Sequence, residues 1–286
     1  MIAAVVALFL LDWWLENVLR LPRFRGRFVV LGIPTAAVLA LLILKATGEL
    51  EYLSSASGRI LPISAVAGAL ALGILPFWRQ FVGFPVNAPI VTALLGIIVI
   101  VIFAEQMVRR TPLEALRNVA CTFLAVFYLG VGGAMVMQIR VSLGLPALAL
   151  FLGIVKLTDM AAYFAGSAFG RHKLVPSISP GKSWEGLAAG LAVAAGAGVL
   201  GVWLLAGVRG GEHLAIIPHW RAAVFGVAVG AAGQFADLCE SLLKRSAGVK
   251  DSAAAVPEFG GVLDIIDSVL LSAPVAYLLM AFALPT

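Results

Sequence analysis

Charge is scarce in this chain. Only 12% of its 286 residues are Asp, Glu, Lys or Arg, against 62% hydrophobic. A soluble domain carries about 25% charged residues, so a chain this poor in them has too little polar surface to fold as a cytosolic globule or to stay disordered. Cysteine is scarcer still. Cys121 and Cys239 lie far apart in apolar contexts, with no C-x-x-C, which excludes a disulfide scaffold and leaves them as small hydrophobes. The three histidines, His172, His213 and His219, are too few and scattered for a His-ligated metal site. The net charge of +5 comes from Lys and Arg spread through short loops rather than gathered in one patch, so nucleic acid is not an expected partner. The N-terminus has no basic start, and Asp12 and Glu16 interrupt its apolar run. It does not read as a cleaved signal peptide. No internal repeat is visible.

What the chain has in quantity is long apolar runs. They fall near 2–19, 28–45, 60–77, 88–104, 117–138, 144–165, 186–208, 221–243 and 262–283. A helix needs about 20 residues to cross a bilayer, and inside lipid each backbone donor and acceptor must find its partner within the segment. The runs lack the alternation of barrel strands. The expected fold is therefore all-α: a polytopic integral membrane helical bundle of eight or nine transmembrane helices. Residues 1–140 would supply N-terminal helices and 141–286 a catalytic membrane region.

Two polar loops, 166–185 and 244–261, are separated by two helices and so face the same side. Arg20, Arg23, Arg25 and Arg27 mark an early loop as cytoplasmic. If every later segment crosses, parity puts the polar loops outside; if one early segment does not, they lie inside. The segment 60–77, with Pro62, Ser64, Gly68 and Pro76, is the one suspected of not crossing.

Acidic groups at membrane depth each cost about 2.5–3.5 kcal/mol on insertion scales, yet the last third of the chain keeps several. Asp237, Glu240, Ser241 and Lys244 share one helical face, with Arg245 beside them. Lys250 and Asp251 follow; Asp264, Asp267 and Ser268 then recur at three- and four-residue spacing. Upstream, Lys156, Asp159 and Tyr163 share a face, and Lys182 and Glu185 flank Trp184. Singly, each fits a structural reading as a salt bridge, a snorkelling helix end or a charge suited to the helix dipole. Together, carboxylates and hydroxyls without His or Cys suit a hard cation such as Mg2+, and Lys and Arg beside them suit phosphate oxygens. That combination serves phosphoryl or nucleotidyl transfer. The six Trp read as interfacial residues, with Trp184 equally able to line a site. Gly186/Gly190 and Gly226/Gly230 read as close helix packing rather than phosphate cradles. Gly260-Gly261 fits either a turn or a phosphate contact at a helix start.

The series Ser241, Lys244-Arg245, Lys250-Asp251, Pro257, Gly260-Gly261, Asp264 and Asp267 resembles the C-terminal signature of phosphatidate cytidylyltransferases, also called CDP-diacylglycerol synthases. Asp159, Ala162-Tyr163-Phe164, Gly166, Phe169-Gly170 and Ser179-Pro180-Gly181-Lys182-Ser183-Trp184-Glu185-Gly186 are similar to a second block of that family. The resemblance covers about residues 150–275; the N-terminal half matches only as hydrophobic helices. The sequence departs at Phe259, where the family pattern has His, and at Ile265, where it has Arg.

The resemblance implies transfer of CMP from CTP to phosphatidate, giving CDP-diacylglycerol and pyrophosphate. It implies Mg2+, with a second metal ion left open. Asp237 and Asp264 would hold the metal, with Asp267 and Asp159 as further choices. Ser241, Lys244, Arg245, Lys250 and Asp251 would act on phosphate groups, and Asp159, Tyr163, Lys182, Trp184, Glu185, Gly260 and Gly261 would bind substrate. The expected partners are CTP, phosphatidate and the lipid bilayer, with a homodimer left open. The expected location is a bacterial inner membrane with the site facing the cytoplasm. Rivals are another CTP-using membrane lipid enzyme, such as a lipid kinase or archaeal-lipid cytidylyltransferase, and a secondary transporter. The D-G-x2-A-R motif of CDP-alcohol phosphotransferases is not found.

Overall fold

In a computed structural model of the chain, most of these apolar runs are helices. The structure describes residues 10–12, 14, 23–24, 27–28, 32–55, 57–80, 88–208, 211, 214, 216–249 and 261–283. Among the described residues, six helical stretches are long and apolar enough to cross a membrane: Ile33–Ser54, Ala88–Arg109, Pro112–Phe169, Trp184–Ala206, His219–Ser246 and Val262–Ala281. The protein is an all-α polytopic membrane protein with short hairpins. The predicted runs 117–138 and 144–165 join in one stretch of 58 residues. As unbroken helix it would rise roughly 87 Å, far beyond a bilayer core, and it is interrupted at Gly144, whose φ of 88° and ψ of 175° leave the helical region ahead of Pro146. The run 60–77 becomes a 12-residue helix, Pro62–Gly73, and a four-residue one, Leu75–Trp78. Most of the run 2–19 lies outside the described residues.

The chain forms two compact units. The first comprises Met1–Val141 and Gly261–Leu263. It holds the two-residue strands β1 (Arg23–Phe24) and β2 (Arg27–Phe28), paired antiparallel, then α1 (Ile33–Ser54), α2 (Pro62–Gly73), α3 (Leu75–Trp78), α4 (Ala88–Arg109), α5 (Ala115–Ala125) and the first part of α6 (Gly132–Phe169). Leu61, Leu72, Ile98, Ile102, Val119 and Val126 form a core cluster. Proline at the start of α1 and α2 costs no hydrogen bond, because the first helical N–H groups lack intrahelical partners. The remaining donors near α2 are met by side chains. The Arg59 and Leu61 N–H groups donate to Asn118 Oδ1 (2.8 Å) and Thr122 Oγ1 (2.9 Å), and the Ser64 N–H donates to Glu105 Oε2 (2.7 Å). The Glu49 oxygens likewise accept the N–H groups of Val262 and Leu263 at 2.8 and 2.7 Å. The fully buried Arg140 donates through Nε to Asp12 Oδ2 at 2.8 Å, and Thr35 donates to the same oxygen at 2.6 Å.

The second unit comprises Ser142–Gly260 and Asp264–Thr286. The remainder of α6 leads into β3 (Lys173–Val175) and β4 (Ser179–Ser183), so part of the polar loop 166–185 is an antiparallel hairpin. Then come α7 (Trp184–Ala206), α8 (His219–Ser246) and α9 (Val262–Leu278), most of which lies in this unit. Small residues let these helices touch through their backbones. A Cβ added at Gly226 of α8 would collide with the Ala194 carbonyl of α7, and one at Gly186 of α7 would come 2.6 Å from the Ala162 carbonyl of α6. The glycine pairs therefore pack helices, as expected from their spacing. Gly226→Val should push α7 and α8 apart and destabilise the unit by about 1–3 kcal/mol, the usual cost of overpacking. Thermal unfolding in detergent reads this directly, and an unchanged transition would contradict the packing.

Candidate active site

The α8 sequence places a polar residue every three or four positions, so Gln234, Asp237, Ser241 and Lys244 line one face with Glu240 adjoining. Here that face meets polar groups of α6, α9 and the hairpin. Carboxylate oxygens of Asp237, Glu240 and Asp267 all lie within 4.8 Å of one another. Three lysines surround the acids. Lys182, from β4, puts Nζ 2.7 Å from Asp237 Oδ2 and donates to the carbonyl and Oε1 of Gln234 at 3.1 and 3.3 Å. Lys244 lies 2.6 Å from Glu240 Oε2 and 3.2 Å from Asp264 Oδ1. Lys156 donates to the Ile265 carbonyl at 2.8 Å and to Ser268 Oγ at 3.2 Å, and lies 3.7 Å from Asp159 Oδ2. Gln234 closes the network by donating to Asp159 Oδ1 at 2.8 Å, and Ser268 donates to Asp159 Oδ2 at 3.3 Å.

Among the described residues, five carboxylates against three ammonium groups leave two formal negative charges in this network. Gathering like charges in a low-dielectric site is unfavourable without a counter-ion. Glu240 is only 1% exposed, and its Oε1 accepts no hydrogen bond among the described residues. A buried acceptor without a donor, in an all-oxygen set of carboxylates, is suited to a hard divalent cation. Two of the acids, Asp159 and Asp237, line a cavity of about 440 Å³ whose wall also includes Tyr163, Ser179, Lys182 and Gln234. The arrangement can hold a cation at one end and present ammonium groups to an anion nearby.

The structure thus draws Asp159, Lys182, Asp237, Lys244 and Asp267 into one network, with Asp264 joined through Lys244. Tyr163 lines the cavity and is 71% exposed. Ser241 is half-buried on α8, and Gly261 lies directly before α9. Arg245 turns to the hairpin, where its Nε donates to the Ile178 carbonyl at 3.2 Å. Trp184 and Glu185 border a different hollow with Arg171, His172 and Lys173. Lys250, Asp251 and Gly260 lie outside the described residues, as does Phe259; Ile265 offers its carbonyl to Lys156. Four members of the network, Lys156, Gln234, Glu240 and Ser268, are not among the expected site residues. Glu240, on the acidic face of α8, joins the carboxylate cluster, whereas Asp264, expected at the metal, lies 3.2 Å from Lys244. For Gln234 the readable signal is an amide one turn before Asp237 in an otherwise apolar run.

A model of the cytidylyltransferase family matches residues 17–283. The chain belongs to the cytidylyltransferase family. Curated relatives named phosphatidate cytidylyltransferase include one from Brucella suis, 38% identical over 143 residues, which are 50% of this chain and 50% of that protein. One from Pseudomonas aeruginosa is 44% identical over 117 residues, 41% of each. One from Chlamydia pneumoniae is 31% identical over 201 residues, 64% of this chain and 61% of the relative. The chain spans about half the length of the curated relatives it matches. Membership of the cytidylyltransferase family agrees with the resemblance read from the sequence and with a site that pairs carboxylates with lysines.

Proposed function

We propose that the chain transfers CMP from CTP to phosphatidate, releasing CDP-diacylglycerol and pyrophosphate, with Mg2+ as the divalent ion. The observation that carries this reading is the convergence of Asp237, Glu240 and Asp267 within 4.8 Å beside Lys182 and Lys244, in helices that cross a membrane. The name that the relatives carry, phosphatidate cytidylyltransferase, supports this choice of substrates.

In the proposed reaction a phosphate oxygen of the lipid attacks the α-phosphorus of CTP. One P–O bond forms, the α–β phosphoanhydride bond breaks, and its electron pair leaves on pyrophosphate. The nucleophile is already anionic near neutral pH, so no strong general base is required. The difficulty is to bring two polyanions together and to hold the charge that gathers on the leaving group. Asp237, Glu240 and Asp267 would hold Mg2+, which when bound neutralises phosphate charge and stabilises the departing oxygen. Lys182 reaches the cavity from β4, and Lys244 stands beside Glu240 on α8; both would present ammonium donors to phosphate oxygens. Gln234 orients Lys182 and Asp159 through its two hydrogen bonds. Asp264 shares Lys244 with Glu240 and fixes where that ammonium stands. Ser241 is assigned a hydrogen bond to phosphate, Arg245, Lys250 and Asp251 further phosphate contacts, and Gly260 and Gly261 contacts to substrate, while Tyr163 lines the cavity.

Cytosolic CTP would require the polar loops to face the cytoplasm of a bacterial inner membrane. The length of α2 supports that orientation, because its 12 residues rise only about 18 Å, short of a bilayer core of about 30 Å. A homodimer remains part of the proposal and has no bearing on the chemistry. The activity is tested by incubating the purified protein in detergent with phosphatidate, Mg2+ and CTP labelled in its α-phosphate. Label should appear in the lipid, with release of unlabelled pyrophosphate. Label confined to CMP or CDP would point to hydrolysis or kinase chemistry and reject the transfer.

A further inference from the structure

The first turn of α7 has two faces. Ser183, Gly186 and Leu187 border the carboxylate cavity. Trp184, Glu185 and Ala188 instead border an open hollow completed by Arg171, His172 and Lys173. The hollow is fixed by its backbone: the Trp184 N–H donates to the His172 carbonyl at 2.9 Å, and the His172 N–H donates to Glu185 Oε1 and Oε2 at 3.1 and 3.2 Å. His172 Nδ1 also lies 2.6 Å from Glu185 Oε1. The acidic group of the hollow is therefore committed to His172. Among the described residues, neither Arg171 nor Lys173 pairs with a carboxylate, and both are exposed. The balance of charge at the hollow is positive.

Its position identifies what it meets. The membrane-crossing helix α7 begins at Trp184, and Trp184 is 57% exposed. An exposed indole at the first residue of a span, beside unpaired basic groups, marks the level of the lipid headgroups. From Trp184 the same helical face continues through Ala188, Ala192 and Gly196, all exposed. A Cβ added at Gly196 would meet open space, so a smooth strip runs from the hollow into the depth of the bilayer.

We propose that this hollow binds the headgroup of an anionic phospholipid of the surrounding bilayer. Arg171 and Lys173 take the phosphate oxygens by charge-assisted hydrogen bonds, Trp184 stands at the glycerol level, and an acyl chain lies along Ala188, Ala192 and Gly196. Glu185 holds His172 and the hairpin in place without facing the phosphate alone. This lipid site is distinct from the carboxylate cavity, on the opposite face of the same helical turn.

The test uses the full chain in vesicles of phosphatidylcholine, with spin-labelled phosphatidylglycerol or spin-labelled phosphatidylcholine as the probe. Phosphatidylglycerol is a phosphodiester with no terminal phosphate to receive CMP, so the measurement stands independently of the proposed reaction. The wild type should select the anionic probe, and R171Q/K173Q should lose about tenfold or more of that selectivity, since each surface basic group contributes substantially to binding an acidic lipid. The charge-keeping exchange R171K/K173R should retain it, which separates the loss of charge from any loss of fold. Inorganic phosphate at matched ionic strength should leave the selectivity in place. Equal selectivity in wild type and R171Q/K173Q overturns the proposal. Displacement of the lipid by inorganic phosphate also overturns it, assigning the hollow to a soluble anion.

Discussion

Replacing Asp237 by Asn should lower the rate of the proposed CMP transfer by roughly a hundred- to a thousandfold, the range found when one preorganised electrostatic group is removed from an active site. Asp237 contributes an oxygen to the carboxylate cluster and an ion pair to Lys182 at 2.7 Å. Asparagine keeps the shape and one acceptor but removes the charge that both interactions require. The side chain is partly exposed to the cavity, so the variant should insert and fold. Initial rates measured over a wide range of Mg2+ concentrations would separate a weakened metal site, which excess metal partly rescues, from a damaged transition state, which it does not. Near-normal turnover at all concentrations would remove Asp237 from the mechanism.

A second large effect is expected at Lys244. Its ammonium lies between Glu240 and Asp264, at 2.6 and 3.2 Å, and Glu240 is almost fully buried. In Lys244→Met the two acids would face each other in a site with little water. Removing one partner of a buried ion pair costs about 3–5 kcal/mol, because it strands the remaining charge. Activity should be lost, and unfolding in detergent should occur at a lower temperature. Neutralising the stranded acid as well, in Lys244→Met/Glu240→Gln, should recover much of the stability and none of the activity. If the double variant is no more stable than the single one, Lys244 does not serve to balance Glu240.

Helical periodicity made part of this site legible in the sequence. Asp237 and Lys244 fall on one face because seven residues are almost two turns, and Asp267 lies one turn after Asp264 for the same reason. What periodicity does not contain is the register between helices. That register is set by contacts between helices, such as Gly233 of α8, where an added Cβ would lie 3.9 Å from the Ser268 carbonyl of α9, and it brings Asp267 to Asp237 and Glu240. The hairpin was hidden for a different reason. Ser179-Pro180-Gly181-Lys182 looks like a polar loop, and only pairing with Lys173–Val175 directs Lys182 to Asp237 and, one residue after Ser183, turns Trp184 away from the cavity. The bundle itself was written in the long apolar runs, yet run length did not separate a spanning segment from the short helix Pro62–Gly73, where prolines set the limits.

The account depends on the carboxylates of three side chains holding one divalent ion. Manganese binding to the purified protein without substrate, followed by electron paramagnetic resonance, measures this most directly. The wild type should immobilise Mn2+, Mg2+ should compete for it, and Asp237→Asn, Glu240→Gln and Asp267→Asn should each weaken binding markedly, whereas Arg171→Gln should not. Manganese held equally well by all three carboxylate variants would contradict the account.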